Sequence, residues 1–141
     1  MSERGFGQRP LTRLCALLVV VLASCEPSVH DRERQSAAQV LRAEQAVRSA
    51  DNADKQRLLP FFAMPCFGQE PCDVQRRCRE AYALHVDALR LTQVAKQTFA
   101  DGKSAEAAGL LGSAEHKLQQ ARSQVADCTD RASALRRRYH L

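Results

Sequence analysis

AEAAGLLGSAEHKLQQARSQVADCTDRASALRRRY, residues 105–139, decides the fold. Ala107, Leu111, Ala114, Leu118, Ala121, Val125, Cys128, Ala132, Leu135 and Tyr139 follow one another at alternating steps of four and three. A heptad pattern held that long reads as one amphipathic helix. The segment before it, 72–100, also steps by three and four, without strict alternation, in Val74, Cys78, Ala81, Leu84, Ala88, Leu91, Ala95 and Phe99. Between them stand Asp101, Gly102 and Lys103. Gly102 is free to take the left-handed conformation that closes a helix. Ser104 can cap the next one, with Glu106 in its first turn. So short a link makes the two helices antiparallel neighbours.

Folding the chain about residue 103 matches the two seams by arithmetic. Phe99 meets Ala107, Ala95 meets Leu111, Ala88 meets Leu118 and Ala81 meets Val125, so a small residue faces a larger one at each level. The same fold-back sets Cys78 opposite Cys128. A disulfide there closes a loop of about 50 residues and contributes about 4 kcal/mol by chain entropy. Cys66 and Cys72 then pair locally. A mirror centre at residue 100 would instead join Cys72 to Cys128 and Cys66 to Cys78.

Upstream, residues 31–59 are polar and rich in Ala, Gln and Arg. Asp31 can cap a helix start and Pro60 can end it. Ala37, Val40, Val47 and Leu58 make an interrupted apolar stripe, and Ser49-Ala50-Asp51-Asn52 weakens its middle. The expectation is a third helix, the least securely packed, acting partly as a stalk. PFFAMPCFGQEP, residues 60–71, breaks the helical register yet holds Phe61, Phe62, Met64 and Phe67. These either plug an open end of the bundle or form an exposed aromatic loop for a partner or a membrane. The chain has no Trp and two Tyr, with few β-branched residues after the first 24. The expected class is all-α: three helices at about 31–59, 72–100 and 105–139, dominated by a long antiparallel hairpin and braced by disulfides.

The first residues are organised differently. Arg4, Arg9 and Arg13 precede LCALLVVVLA, residues 14–23, after which the chain turns polar. A basic segment, a short apolar run and small residues at the boundary make a secretory signal. As a helix that run is about 15 Å long, against a hydrocarbon core of about 30 Å, so it is too short for a permanent span. Leu22, Ala23, Ser24 and Cys25 resemble the lipobox of bacterial lipoproteins: an aliphatic residue, two small ones, then Cys. The resemblance implies a leader over 1–24, a diacylglyceryl group on the Cys25 sulfur and an acylated new amino terminus. It covers only about the first 26 residues; the chain's own pattern makes 25–30 a short lipidated tether and 31–141 the helical domain. Two or more acyl chains hold a protein stably at a membrane. Among enterobacterial lipoproteins Asp after the Cys favours the inner membrane, so Glu26 favours the outer one in a cell that has both.

Cysteine arithmetic agrees with lipidation. Six Cys are present. Cys15 leaves with the leader and Cys25 takes the lipid, so Cys66, Cys72, Cys78 and Cys128 form an even set. Loss of Arg4, Arg9, Arg13 and Glu3 lowers the formal charge from +5 to +3, which removes the support for nucleic-acid binding.

Other chemistry finds little footing. Cys66, Cys72, Cys78 and His85 are spaced too widely for structural zinc, and an exported chain favours disulfides. His30, His85, His116 and His140 are scattered, and no Ser or Cys has a plausible base beside it. No Gly-rich phosphate loop is present. No catalytic residue, cofactor or metal is expected. Ala95, Gly102, Ala107, Leu111 and Ala114 resemble one tetratricopeptide hairpin, but no second copy follows. Arg136, Arg137 and Arg138 suit a helix C-terminus and could also meet anionic lipid or polymer. The functional expectation is a lipid-anchored, non-enzymatic module of the cell envelope that meets a protein partner through its helix surfaces. The alternative is a binder of anionic envelope polymer or lipid through the basic helix end.

Overall fold

The computed structural model describes residues 27–141, all of whose regular structure is helical. The expected leader, 1–24, and Cys25 lie outside the described residues. Helix α1 spans Val29–Ser49 and α2 spans Asn52–Leu58. A 3₁₀ turn covers Leu59–Ala63, α3 spans Gln69–Ala100 and α4 spans Ser104–Tyr139. Four α-helices therefore stand where the sequence suggested three, because the segment 31–59 breaks at Ala50.

Ser28 rather than Asp31 caps α1. The Ser28 hydroxyl accepts from the Asp31 amide at 3.1 Å and donates to the Asp31 carboxylate at 2.7 Å. That hydroxyl, more than nearby positive charge, holds the Asp31 carboxyl below its usual range. The other end of α1 is closed from outside. Ala50 is extended at φ −73° and ψ 149°. The ammonium of Lys55 donates to the carbonyls of Val47 at 3.1 Å and Ala50 at 2.6 Å. A cation on the last carbonyls satisfies orphan acceptors and suits the helix dipole.

α1 is no stalk. Ala37, Val40, Leu41, Ala43 and Val47 are buried in the main core with Val74, Cys78 and Tyr82 of α3 and Leu135 and Tyr139 of α4. The apolar stripe looked weak because several of its members are alanines and because Glu44 interrupts it. Pro60 sits in the first turn of the 3₁₀ segment, where its missing amide costs nothing. Phe62 points into the core and stacks on Tyr82 with ring centroids 6.0 Å apart. Phe61 and Met64 are exposed, so the aromatic loop divides between the two roles considered for it. Phe67 lies under the Arg32 guanidinium at 4.1 Å, and its amide donates to the Ser36 hydroxyl at 2.8 Å. Gly68, at φ 90°, starts α3 against Glu33, where a Cβ would stand 2.7 Å from the Glu33 Cγ.

α3 and α4 have 32 and 36 residues, about 48 and 54 Å at 1.5 Å per residue. Gly102, at φ 79°, turns the chain between them, and the Lys103 amide donates to the Thr98 carbonyl at 3.1 Å. Ser104 is the first residue of α4 and makes no capping bond. The two helices pair along their lengths. Glu70 faces Arg138 at 2.7 Å, as an ion pair with angles outside hydrogen-bond geometry. Arg77 lies 3.8 Å from Asp127, and Asp87 lies 3.2 Å from Lys117. The sulfurs of Cys78 and Cys128 are bonded, as are those of Cys66 and Cys72.

Packing between α3 and α4 differs from the expected alternation of small and large. Ala81, Ala88 and Ala95 on one helix and Ala107, Ala114 and Ala121 on the other, each set at seven-residue steps, are all buried. Alanine columns bring the helices close, and the bulkier Leu111 and Phe99 are left outside the seam, 49% and 67% exposed. The molecule thus has a broad end and a narrow one. The broad end joins α1, the 3₁₀ turn, the first part of α3 and the last part of α4 in one core. Beyond His85, which α2 still reaches through Asn52, α3 and α4 continue as a two-helix arm.

Candidate interaction surface

The arm ends in an exposed apolar surface. Val94, Phe99 and Leu111 all lie there. Ala95 and Ala107, both buried, form the floor of an open groove of about 340 Å³, with Phe99 and Leu111 as its walls and the exposed Lys96 and Ala108 on its rim. The sequence explains this arrangement. The seven-residue alanine columns occupy the inter-helix seam, and the heptad positions beside them carry the large side chains. In the broad end those neighbouring positions are covered by α1. On the arm they are not.

The opposite end carries the charged groups, although Val29 and Leu141 are exposed there too. α1 begins there and α4 ends there: the rings of His30 and Tyr139 lie 6.0 Å apart, and the Tyr139 hydroxyl donates to the Glu33 carboxylate at 3.2 Å. The three arginines expected to act together point to different surroundings, as successive residues on a helix must. Arg138 is paired with Glu70. Arg136 lines a shallow groove of about 470 Å³ with Leu41, Arg42 and Leu141. Arg137 is exposed and makes no ion pair among the described residues. His140 takes the left-handed conformation at φ 52°, and its neighbour Leu141 donates its amide to the Arg136 carbonyl at 3.1 Å.

A third feature was not found by sequence reasoning. Glu44 is 2% exposed, and its Oε1 accepts no hydrogen bond. Arg48 approaches it at 3.6 Å from the next turn. The Tyr82 hydroxyl is also buried without a partner. Burial first, and then the negative charge of Glu44, pushes the Tyr82 hydroxyl up to about 12. Nearby, His85 Nε2 stands 3.4 Å from Asn52 Oδ1. Burial, and after it the Lys55 ammonium, holds the His85 imidazole below its ordinary value. The only sequence signal for this cluster is Glu44 on the apolar stripe of α1.

Cys66, Cys72 and Cys78 are held in disulfides, and His85 is turned toward Asn52. Among the described residues, no three His, Cys, Asp or Glu side chains gather at metal-binding distance. No described helix is long and apolar enough to cross a membrane. Comparison with protein-family models, with curated proteins and with solved structures found no match for this chain.

Proposed function

We propose that this chain is an exported lipoprotein, anchored through lipid on Cys25, that acts as a non-enzymatic module of the cell envelope. In this reading α3 and α4 form a long antiparallel hairpin that holds its turn away from the membrane for a protein partner. The observation that carries the proposal is the separation of the two ends. The large exposed apolar residues Phe99 and Leu111 gather at the turn, while the start of α1, four residues after Cys25, shares the other end with the last turn of α4.

Physical support comes from stiffness and reach. Alanine columns pack the two helices closely, and the Cys78–Cys128 bridge ties them where the arm leaves the core. A helix of this length sets its far end about 50 Å from the lipid surface. An apolar groove at that distance is wetted rather than dissolved in lipid, and exposed patches of this kind are commonly protein contacts.

The anionic-surface reading is secondary and narrower than the run of arginines suggests. Arg138 is engaged by Glu70, which leaves Arg136 and Arg137 to meet headgroups beside the anchor, each adding about 1 kcal/mol at low salt.

The anchor is tested by feeding cells a labelled fatty-acid analogue. The native chain takes label and Cys25→Ser does not. Label on Cys25→Ser contradicts the anchor. Salt distinguishes the two contacts: binding through Arg136 and Arg137 weakens steeply as ionic strength rises, whereas binding through Phe99 and Leu111 does not.

A further inference from the structure

The groove at the end of the arm continues the face that α1 covers in the broad end. Val125 of α4 packs against the core that α1 completes. Leu118 and Leu111 stand seven and fourteen residues before it, at the same heptad position. α1 stops short of them because Lys55 closes it at Val47 and Ala50. The surface that seats one helix therefore runs on, without its third helix, to Phe99 at the tip.

We infer that this groove takes an amphipathic helix of a partner protein, seated beside α3 and α4 as α1 is lower down. The inference rests on the reading of the arm as a presented surface and names what that surface receives. Three features of the groove specify the occupant. Its floor of Ala95 and Ala107 leaves room between the Phe99 and Leu111 walls, and such a groove accepts large apolar side chains spaced at three and four residues. Its lining on α4 runs from Ser104 to Leu111, a span of about two helical turns. Lys96 on the rim makes no ion pair among the described residues, so it favours an acidic residue beside the apolar stripe. A second copy of this chain fits less well. The exposed apolar residues of the tip are few, whereas a stable dimer buries about 800 Å² on each side. A single helix laid into a groove needs less.

Photo-crosslinking in the native envelope tests this on the full, lipidated chain. A benzophenone amino acid is placed at Phe99 or at Leu111, with Phe61 at the broad end as the control. The expected result is a cross-link from both tip positions to one segment of another protein. Mapped by mass spectrometry, that segment has apolar residues at helical spacing and an acid near Lys96. Phe61 gives no such product. Ala108→Arg fills the groove from an exposed position and leaves the buried seam intact, so it removes the cross-link while helical content and both disulfides persist. Lys96→Glu lowers the yield roughly two- to fivefold, the range for one exposed ion pair. A cross-link to a non-helical surface leaves the presented arm standing and overturns the helix. Cross-links only to lipid, only to a second copy, or to nothing overturn both the helix and the arm as a partner-binding surface.

Discussion

The Lys55 ammonium donates to the Ala50 carbonyl at 2.6 Å, and this contact sets where α1 ends and the two-helix arm begins. The same ammonium reaches the Val47 carbonyl, so one side chain satisfies two acceptors at a helix end that the core partly buries. Lys55→Met keeps the alkyl stem and removes both bonds. It should destabilise the fold by about 1–3 kcal/mol, the cost of leaving buried polar groups unpaired. Urea denaturation of Lys55→Met beside the native chain measures it. A change below about 0.5 kcal/mol would mean that water replaces the ammonium without loss.

The two disulfides should differ in weight. Cys78–Cys128 closes a loop of 50 residues and Cys66–Cys72 one of 6. Chain entropy assigns about 4 kcal/mol to the first and about 2 kcal/mol to the second. Paired Cys→Ala variants, compared by denaturant midpoint with equal slopes, give the ranking directly. A larger loss from Cys66→Ala with Cys72→Ala would contradict it, and would put the stability of the broad end in the aromatic loop instead.

Tyr82 separates packing from hydrogen bonding. Its ring stacks on Phe62, whereas its hydroxyl is buried without a partner. Tyr82→Phe should therefore stabilise the fold, by about 1 kcal/mol or more, because it removes a hydroxyl that is desolvated without a bond in return. Tyr82→Ala should cost about 3–5 kcal/mol. The pH dependence has a definite sign. The hydroxyl rises to about 12 in the fold from an ordinary value of 10.0. The neutral form is favoured in the folded chain, so its contribution is complete below about pH 10 and is lost as pH climbs toward 12. Tyr82→Phe should flatten that alkaline limb.

His85 acts at the other end of the scale. Burial and Lys55 disfavour its charged form, so its folded value lies below 6.5. The unfolded chain binds the proton first. Stability from the neutral ring is complete above about pH 6.5 and declines as pH falls through the lower folded value. An NMR titration should find the His85 ring titrating below 6.5. Replacement by Gln should reduce the acid dependence of the denaturant midpoint in that window. A His85 midpoint at or above 6.5 would place the imidazole in water.

The helical class and the presence of two disulfides were legible because heptad spacing and an even cysteine set each depend on local sequence alone. Gly102 was legible for the same reason, since a left-handed turn between two periodic runs asks for glycine. Ser49-Ala50-Asp51-Asn52 was legible as a weak point, but not as a full break, because Lys55, five residues on, folds back onto the carbonyls there. The burial of α1 was underread because Ala37 and Ala43 carry little hydrophobic weight one at a time but fit a close helix contact. The exposed tip was misread for a related reason. Fold-back arithmetic pairs residues by level along the axis and does not say which side of the helix they leave from. It set Phe99 against Ala107, whereas the alanine columns take the seam and turn Phe99 outward. The three arginines show the same gap: adjacency in sequence put them together, and the helix sends Arg138 to Glu70 and Arg136 to another face.

The central claim is that the anchored end and the apolar tip are far apart, with the tip held off the membrane. Energy transfer from the lipidated chain in vesicles to an acceptor-labelled lipid measures this directly. Donor dyes are placed through non-natural amino acids at the exposed positions Arg137 and Lys103, which lie about 50 Å apart along α4. The account predicts strong transfer from position 137 and weak transfer from position 103. Strong transfer from both, or stronger transfer from 103, would mean that the arm lies along the bilayer or inserts Phe99 into it, and would contradict the claim.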